Sequence, residues 1–252
     1  MRVLALDTTR RDGSVALIDG DRVLDERRGD SSRTHAERLP QDILTLLDAH
    51  DMQLSDIDLF AVASGPGSFT GLRIGIATIQ GLAFVRRRRV VAVSALEALA
   101  HTAAVGLDTG GIVGVWIDAQ RRDVFSALYE IAPAPPFDAS RLVEIEAPAV
   151  RDPGATLSAW EPRLQGRVVF VGDGASQYGD LIRSAQREAT LLESPVLAGT
   201  IGLVAVSRAA AGQSLEPAAV RPLYVRRPDA EVDRDRRALT AINTRLQKNA
   251  QP

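Results

Sequence analysis

DTTRRDGSVALI at residues 7–18 returns as DAQRRDVFSALY at residues 118–129. Asp7 matches Asp118, Arg10-Arg11-Asp12 match Arg121-Arg122-Asp123, and Ala16-Leu17 match Ala127-Leu128, at a constant offset of 118 − 7 = 111 and without a gap. Each copy continues an apolar run, Val3–Leu6 or Val113–Ile117, and passes through a polar turn into a second apolar run. That is the pattern of an antiparallel hairpin. A single doubly wound sheet would need parallel strands joined by helices from its start, and an opening hairpin argues against it.

Two α/β halves that open with the same hairpin point to a two-lobed actin-like architecture (ASKHA, sugar-kinase/Hsp70-type) built from duplicated subdomains. The expected lobes are residues 1–105 and 106–228, with a charged tail at 229–252 expected to be mobile. In the first half we expect strands at 3–6, 14–18 and 22–27, and an amphipathic helix over 36–47 capped by Thr34 or Ser32. A strand at 59–63, a helix over 69–84 and a strand at 90–93 follow. The second half predicts strands at 113–117 and 167–171, the turn Gly172-Asp173-Gly174, and helices near 176–187 and 199–211. The proline-rich stretch 132–165 reads as loop with a short strand at 142–146.

The 252 residues are 45% hydrophobic with a formal charge of −2, which fits a globular protein with a real core. There is no cysteine, which excludes disulfides, thiolate metal sites and a cysteine nucleophile. No leader and no membrane-length apolar run is read, so a cytoplasmic protein without membrane contact is expected.

Between the strand at 59–63 and its helix lies SGPGSFTGLRIG, residues 64–75. Glycines on such a turn leave amides free to face a phosphate, or let another backbone approach. A P-loop requires Gly-Lys before Ser or Thr, but Gly71 precedes Leu72 and Arg73. The dinucleotide fingerprint requires GxGxxG and an acid closing the next strand. Here the spacing is GxGxxxG and that strand ends in Ser94.

Asp7, followed by Thr8 and Thr9, stands where an actin-like ATPase holds magnesium, although a strand-end Asp more simply accepts turn amides. Gly172 and Gly174 sit where a second phosphate loop would lie. No lysine precedes Lys248, so nucleotide binding stays open and hydrolysis is not expected. His35, next to Glu37, is expected on the surface of the first helix, because one histidine makes no metal site and no HxxH or HxxxH spacing occurs. Arg86–Arg89 read as a cationic helix C-terminus or as a phosphate contact. On the second helix Phe69, Leu72, Ile76 and Ile79 share one face while Ile74, Ala77 and Leu82 fall on others, which suggests packing on both sides.

SGPGSFTGLRIG, LALDTT at 4–9, THAERLP at 34–40, IDAQRRDVFSALY at 117–129 and PLYVR at 222–226 together resemble the TsaB (YeaZ) family across residues 1–226. The resemblance implies a non-catalytic subunit for putting threonylcarbamoyl on an adenine of tRNA. It implies pairing with the TsaD transferase, help from the TsaE ATPase, a homodimer in isolation, and tRNA contact indirectly through the complex. The expected pairing surface is His35, Leu39, Ile43, Leu46, Phe69, Leu72, Arg73, Ile76 and Ile79. TsaD's HxxxH metal ligands would fall on Ala95 and Leu99, and an aspartate ligand on Gly199, none of which binds metal. No cofactor is required, and an ATP or ADP site in the interlobe cleft or at a partner interface stays open. The opposing expectation is a small actin-fold ATPase or phosphotransferase acting alone.

Overall fold

The computed structural model describes residues 1–226; the expectation for the tail at 229–252 lies outside them. Two five-stranded sheets share one topology. The first is ordered β3-β2-β1-β4-β5 and the second β8-β7-β6-β9-β10. In the first, β1 (Arg2–Asp7), β2 (Ser14–Asp19) and β3 (Arg22–Arg28) form an antiparallel meander. β4 (Leu59–Gly65) and β5 (Arg89–Ser94) then add in parallel. The second repeats this with β6 (Ile112–Asp118), β7 (Val124–Ile131), β8 (Leu142–Arg151), β9 (Val168–Val171) and β10 (Thr190–Leu192). This is the two-lobed actin-like fold that the duplicated hairpin predicted.

The duplication is nonetheless not free of a gap. Val3 and Ala5 of β1 face the same central core as Val113, Val115 and Ile117 of β6, while Leu6 and Trp116 face away from it. Side chains alternate along a strand, so the odd offset of 111 puts the matched pairs of β1 and β6 on opposite faces, whereas in the second strands it keeps Ala16 and Ala127 both in the central core. The register shows where the extra residue lies. Asp7 stands opposite Ser14, but Ile117, its equivalent by face, stands opposite Phe125, so the second turn is one residue longer. Asp7 therefore points into the protein and is 1% exposed, whereas Asp118 lines the space between the lobes.

Helix α1 (His35–Asp48) starts at Thr34, where Glu37 Oε2 accepts from the Thr34 amide at 2.8 Å and from its hydroxyl at 2.7 Å. Helix α2 (Phe69–Arg86) starts at Ser68, whose hydroxyl accepts from the Gly71 amide, and stops at Arg87 in the left-handed region. Both helices pack on the β1/β4 side away from the central core.

Helix α3 (Ala95–Ala104) belongs to the first half of the chain but packs on β6. Helix α7 (Ala198–Ala210) belongs to the second half but packs on β1 and β2. This crossing produces one apolar core shared by both sheets. The second half adds α4 (Pro153–Trp160) inside the stretch expected to be loop. The helix expected near 176–187 is two short ones, α5 (Asp173–Gln177) and α6 (Gly179–Ala185), broken at Tyr178.

Candidate functional site in the interlobe cleft and on the second helix

A cleft of about 800 Å³ opens between the lobes. Its walls are the two hairpin turns (Thr9–Arg11 and Asp118–Arg121), the start of α2 and the segment Leu223–Arg226. That last segment, part of PLYVR, is a strap tying both lobes. The Leu223 amide donates to the Ser64 carbonyl at 2.7 Å on the first lobe. Tyr224 lies 5.2 Å from the Phe69 ring and accepts from Arg73 Nε at 3.2 Å. Arg226 donates to the Ala119 carbonyl at 2.7 Å and pairs with Asp123 on the second lobe.

The glycines do not cradle a ligand; they admit the protein's own backbone. A β-carbon on Gly71 would stand 2.1 Å from the Thr8 carbonyl oxygen, one on Gly75 2.1 Å from Thr8 Oγ1, and one on Gly67 2.6 Å from Thr9. Ser68 N donates to the Thr9 carbonyl at 2.7 Å. In the second lobe a β-carbon on Gly172 would meet the Trp116 carbonyl at 2.1 Å, and one on Gly174 would meet Ile117 at 3.0 Å. Both turns thus fill the loops that were expected to hold phosphate.

The residues singled out for nucleotide binding separate accordingly. Thr9 lines the cleft; Asp7, Thr8, Gly172 and Gly174 do not. Asp7 Oδ1 accepts from the Thr9 amide at 2.8 Å and hydroxyl at 2.6 Å, the turn role expected of a strand-end Asp. Its Oδ2 is buried without a partner among the described residues, and burial pushes the carboxyl above its ordinary range. Nearby Glu26 is also pushed up, first by burial; it accepts from the Gly199 amide at 2.8 Å. Ser14 accepts from the Ala198 amide, so the start of α7 is satisfied by the first lobe.

The expected pairing residues need correction. Leu39, Ile43, Leu46, Ile76 and Ile79 are core side chains between their helices and the first sheet, and Leu72 is buried beside the cleft. The apolar face that stood out in the sequence is the face that holds α2 to β4. His35 is buried at 7%, not on the surface: its Nε2 lies 2.9 Å from the Arg10 carbonyl and its Nδ1 2.9 Å from Arg38 Nη2. Burial first, and then the Arg38 charge, hold its pKa below the ordinary value. Phe69 and Arg73 do reach the surface, with the Arg73 guanidinium 3.9 Å over the Phe69 ring.

What α2 presents outward is another strip: Arg73, Ala77, Gly81 and Phe84, spaced by four, four and three residues. Phe84 and its neighbour Val85 are each 76% exposed. α1, in contact with α2, exposes Leu44. Sequence periodicity missed this strip because alanine and glycine carry almost no hydrophobic signal. Phe84-Val85 set directly before the arginine run Arg86–Arg89 was the readable clue.

At the positions matched to a metal site, Ala95 and Leu99 lie in the central core, and Gly199 faces Glu26. Among the described residues no three His, Cys, Asp or Glu side chains gather as a metal site. In the same region Arg208 Nη2 lies 2.6 Å from both oxygens of Glu97, and Nη1 donates to the Ala92 carbonyl. This ties α7 to α3.

Residues 29–233 match the family model described as TsaD, tRNA N6-adenosine threonylcarbamoyltransferase. The tRNA threonylcarbamoyladenosine biosynthesis protein TsaB of Bacillus subtilis is 31% identical over 72% of this chain and 75% of its own length. A Pseudomonas aeruginosa crystal structure, described as similar to peptidase YeaZ, superposes with a TM-score of 0.75 at 32% identity, covering 89% of this chain and 99% of that one. Component A of the Acidaminococcus fermentans (R)-2-hydroxyglutaryl-CoA dehydratase reaches 0.50 at 13% identity, over 83% of this chain and 99% of that one, a likeness of fold alone.

Proposed function

The chain belongs to the TsaB (YeaZ) family of tRNA threonylcarbamoyladenosine biosynthesis proteins, and from that premise we propose that it acts as a non-catalytic subunit pairing with and activating the TsaD transferase. The observation that carries this reading is the outer strip of α2. Ala77 and Gly81 form a nearly side-chain-free track on which another helix can lie close, with Arg73 at one end and Phe84 and Val85 as an anchor at the other. In the isolated chain the same strip serves a homodimer.

Absence of catalysis by this chain is supported by the filled turns. Thr8 and Thr9 occupy the first phosphate loop, and Asp7, buried with its carboxyl pushed above the ordinary range, is badly placed to hold a cation. The TsaE ATPase and tRNA join through the complex, and the work is done in the cytoplasm. No helix among the described residues is long and apolar enough to cross a membrane.

The test is reconstitution with TsaD, TsaE, the enzyme that forms the threonylcarbamoyl donor, ATP, threonine, bicarbonate and tRNA, with modified adenosine measured by mass spectrometry. Product that requires this chain, and is lost with an A77E/G81E double variant that still folds, supports the reading. Product indifferent to the chain overturns it and returns the stand-alone ATPase.

A further inference from the structure

We propose that the interlobe cleft binds a short stretch of single-stranded RNA, a reading that rests on the proposed function only for the source of that RNA. Five guanidinium groups line the cleft, those of Arg10, Arg11, Arg73, Arg121 and Arg226, against two carboxylates, Asp118 and Asp173. Both carboxylates are spent on their own turns. Asp118 accepts from the Gln120 amide and side chain, and Asp173 accepts from the Asp118 and Gly174 amides. Arg10 and Arg226 are bound into the scaffold, Arg10 through Ser194 and the Pro195 carbonyl. Arg11 and Arg73, both exposed, donate through Nε to the Ser31 carbonyl and the Tyr224 hydroxyl, and their terminal nitrogens have no hydrogen-bond partner among the described residues.

Three aromatic rings, Phe69, Phe125 and Tyr224, share the same walls. Arginines that follow a phosphodiester backbone, alternating with rings on which bases stack, are the two components of single-strand recognition. A compact triphosphate is instead held by loop amides, and here those loops are filled by Thr8, Thr9 and the Trp116 carbonyl. The second turn also carries strain. Gln120, Arg121 and Arg122 have φ of 59°, 57° and 67°, three successive non-glycine residues in the left-handed region. Each costs about 1–3 kcal/mol, and together they place Arg121 on the cleft wall.

The experiment is fluorescence anisotropy of the full chain with a labelled single-stranded RNA of about ten nucleotides at about 50 mM and about 200 mM salt. Saturable binding that weakens steeply with salt is expected. An R11E/R121E double variant should lose about tenfold or more in affinity and flatten the salt dependence. Y224A should lose about fivefold with the salt dependence kept, since it removes stacking and no charge. R187E, between α6 and β10 and outside the cleft lining, should bind as the parent does. Thermal unfolding of each variant confirms that it is folded. No saturable binding by the parent chain, unchanged binding by R11E/R121E, or displacement of the RNA by ATP would each overturn the inference. Because the isolated chain is assayed, failure here with successful reconstitution removes the RNA site and leaves the subunit role standing.

Discussion

Thr8 and Gly71 meet backbone to backbone: the Thr8 carbonyl oxygen lies 2.1 Å from where a β-carbon of residue 71 would stand. Residue 71 sits in the first turn of α2 and residue 8 just past the end of β1, so this contact sets how closely the helix approaches the sheet. Neither side can yield without moving a main chain. We expect G71A to cost about 3 kcal/mol, by overpacking against an unyielding partner. In a chain of this size that is a fall of roughly 6–12 °C in melting temperature. Gly81, later in the same helix, has nothing within 4 Å of its would-be β-carbon. G81A should stabilise by up to about 1 kcal/mol through helix propensity. Differential scanning calorimetry of both variants checks the pair, and equal effects would refute the packing account.

The outer strip of α2 and its buried face separate pairing from folding. L39D/I76D places two carboxylates in the core of the first lobe and should prevent folding altogether. A77E/G81E places them on exposed positions and should leave the melting temperature within a few degrees, about 1 kcal/mol or less. Circular dichroism reads the first outcome. Co-purification with TsaD and sedimentation of the isolated chain read the second, where pairing should be lost.

Arg226 is where the strap reaches the second lobe. With R226A the bonds to the Ala119 carbonyl and to Asp123 go. Both side chains are partly exposed, so the expected loss is about 1 kcal/mol. The local effect should be larger: hydrogen exchange should quicken at 119–125 and 220–225 and stay unchanged in α1. Uniform quickening, or none, would contradict the strap.

Glu97 makes acid stability a readout of the α3–α7 tie. Burial pushes its carboxyl up, but the His101 imidazole and the Arg208 guanidinium outweigh this and hold it below its ordinary 4.5. The folded state therefore releases this proton more readily than the unfolded chain does. The stabilisation is present above the unfolded value and is lost as pH falls through the folded one. E97Q should cost about 3 kcal/mol at neutral pH by leaving Arg208 without its counter-charge. The gap between parent and variant should close as the pH drops below about 4. Chemical denaturation at several pH values measures it, and a gap that persists in acid would exclude Glu97 as its source.

Much of the fold was legible because the signals were local. The hairpins, the helix over 69–84 and the Thr34 cap each follow from a few adjacent residues. Helix α4 was missed because Pro153, read as a breaker, is a good first residue of a helix that Asp152 caps. The pairing residues were misjudged because an apolar helical face announces burial without saying against what. Leu39 and Ile76 meet the chain's own sheet.

The sequence by itself determined the duplicated hairpin, the two-lobed class and the family, since repeats and motifs are written in residue order. The tertiary structure alone decided which side of each element is free. Alternation along β1 and β6 converts one residue of turn length into opposite faces for Asp7 and Asp118. The approach of Thr8 to Gly71 and Gly75 turns an apparent phosphate loop into a packing joint. Both outcomes depend on ångström distances between segments remote along the chain, and no pattern of neighbouring residues encodes such a distance.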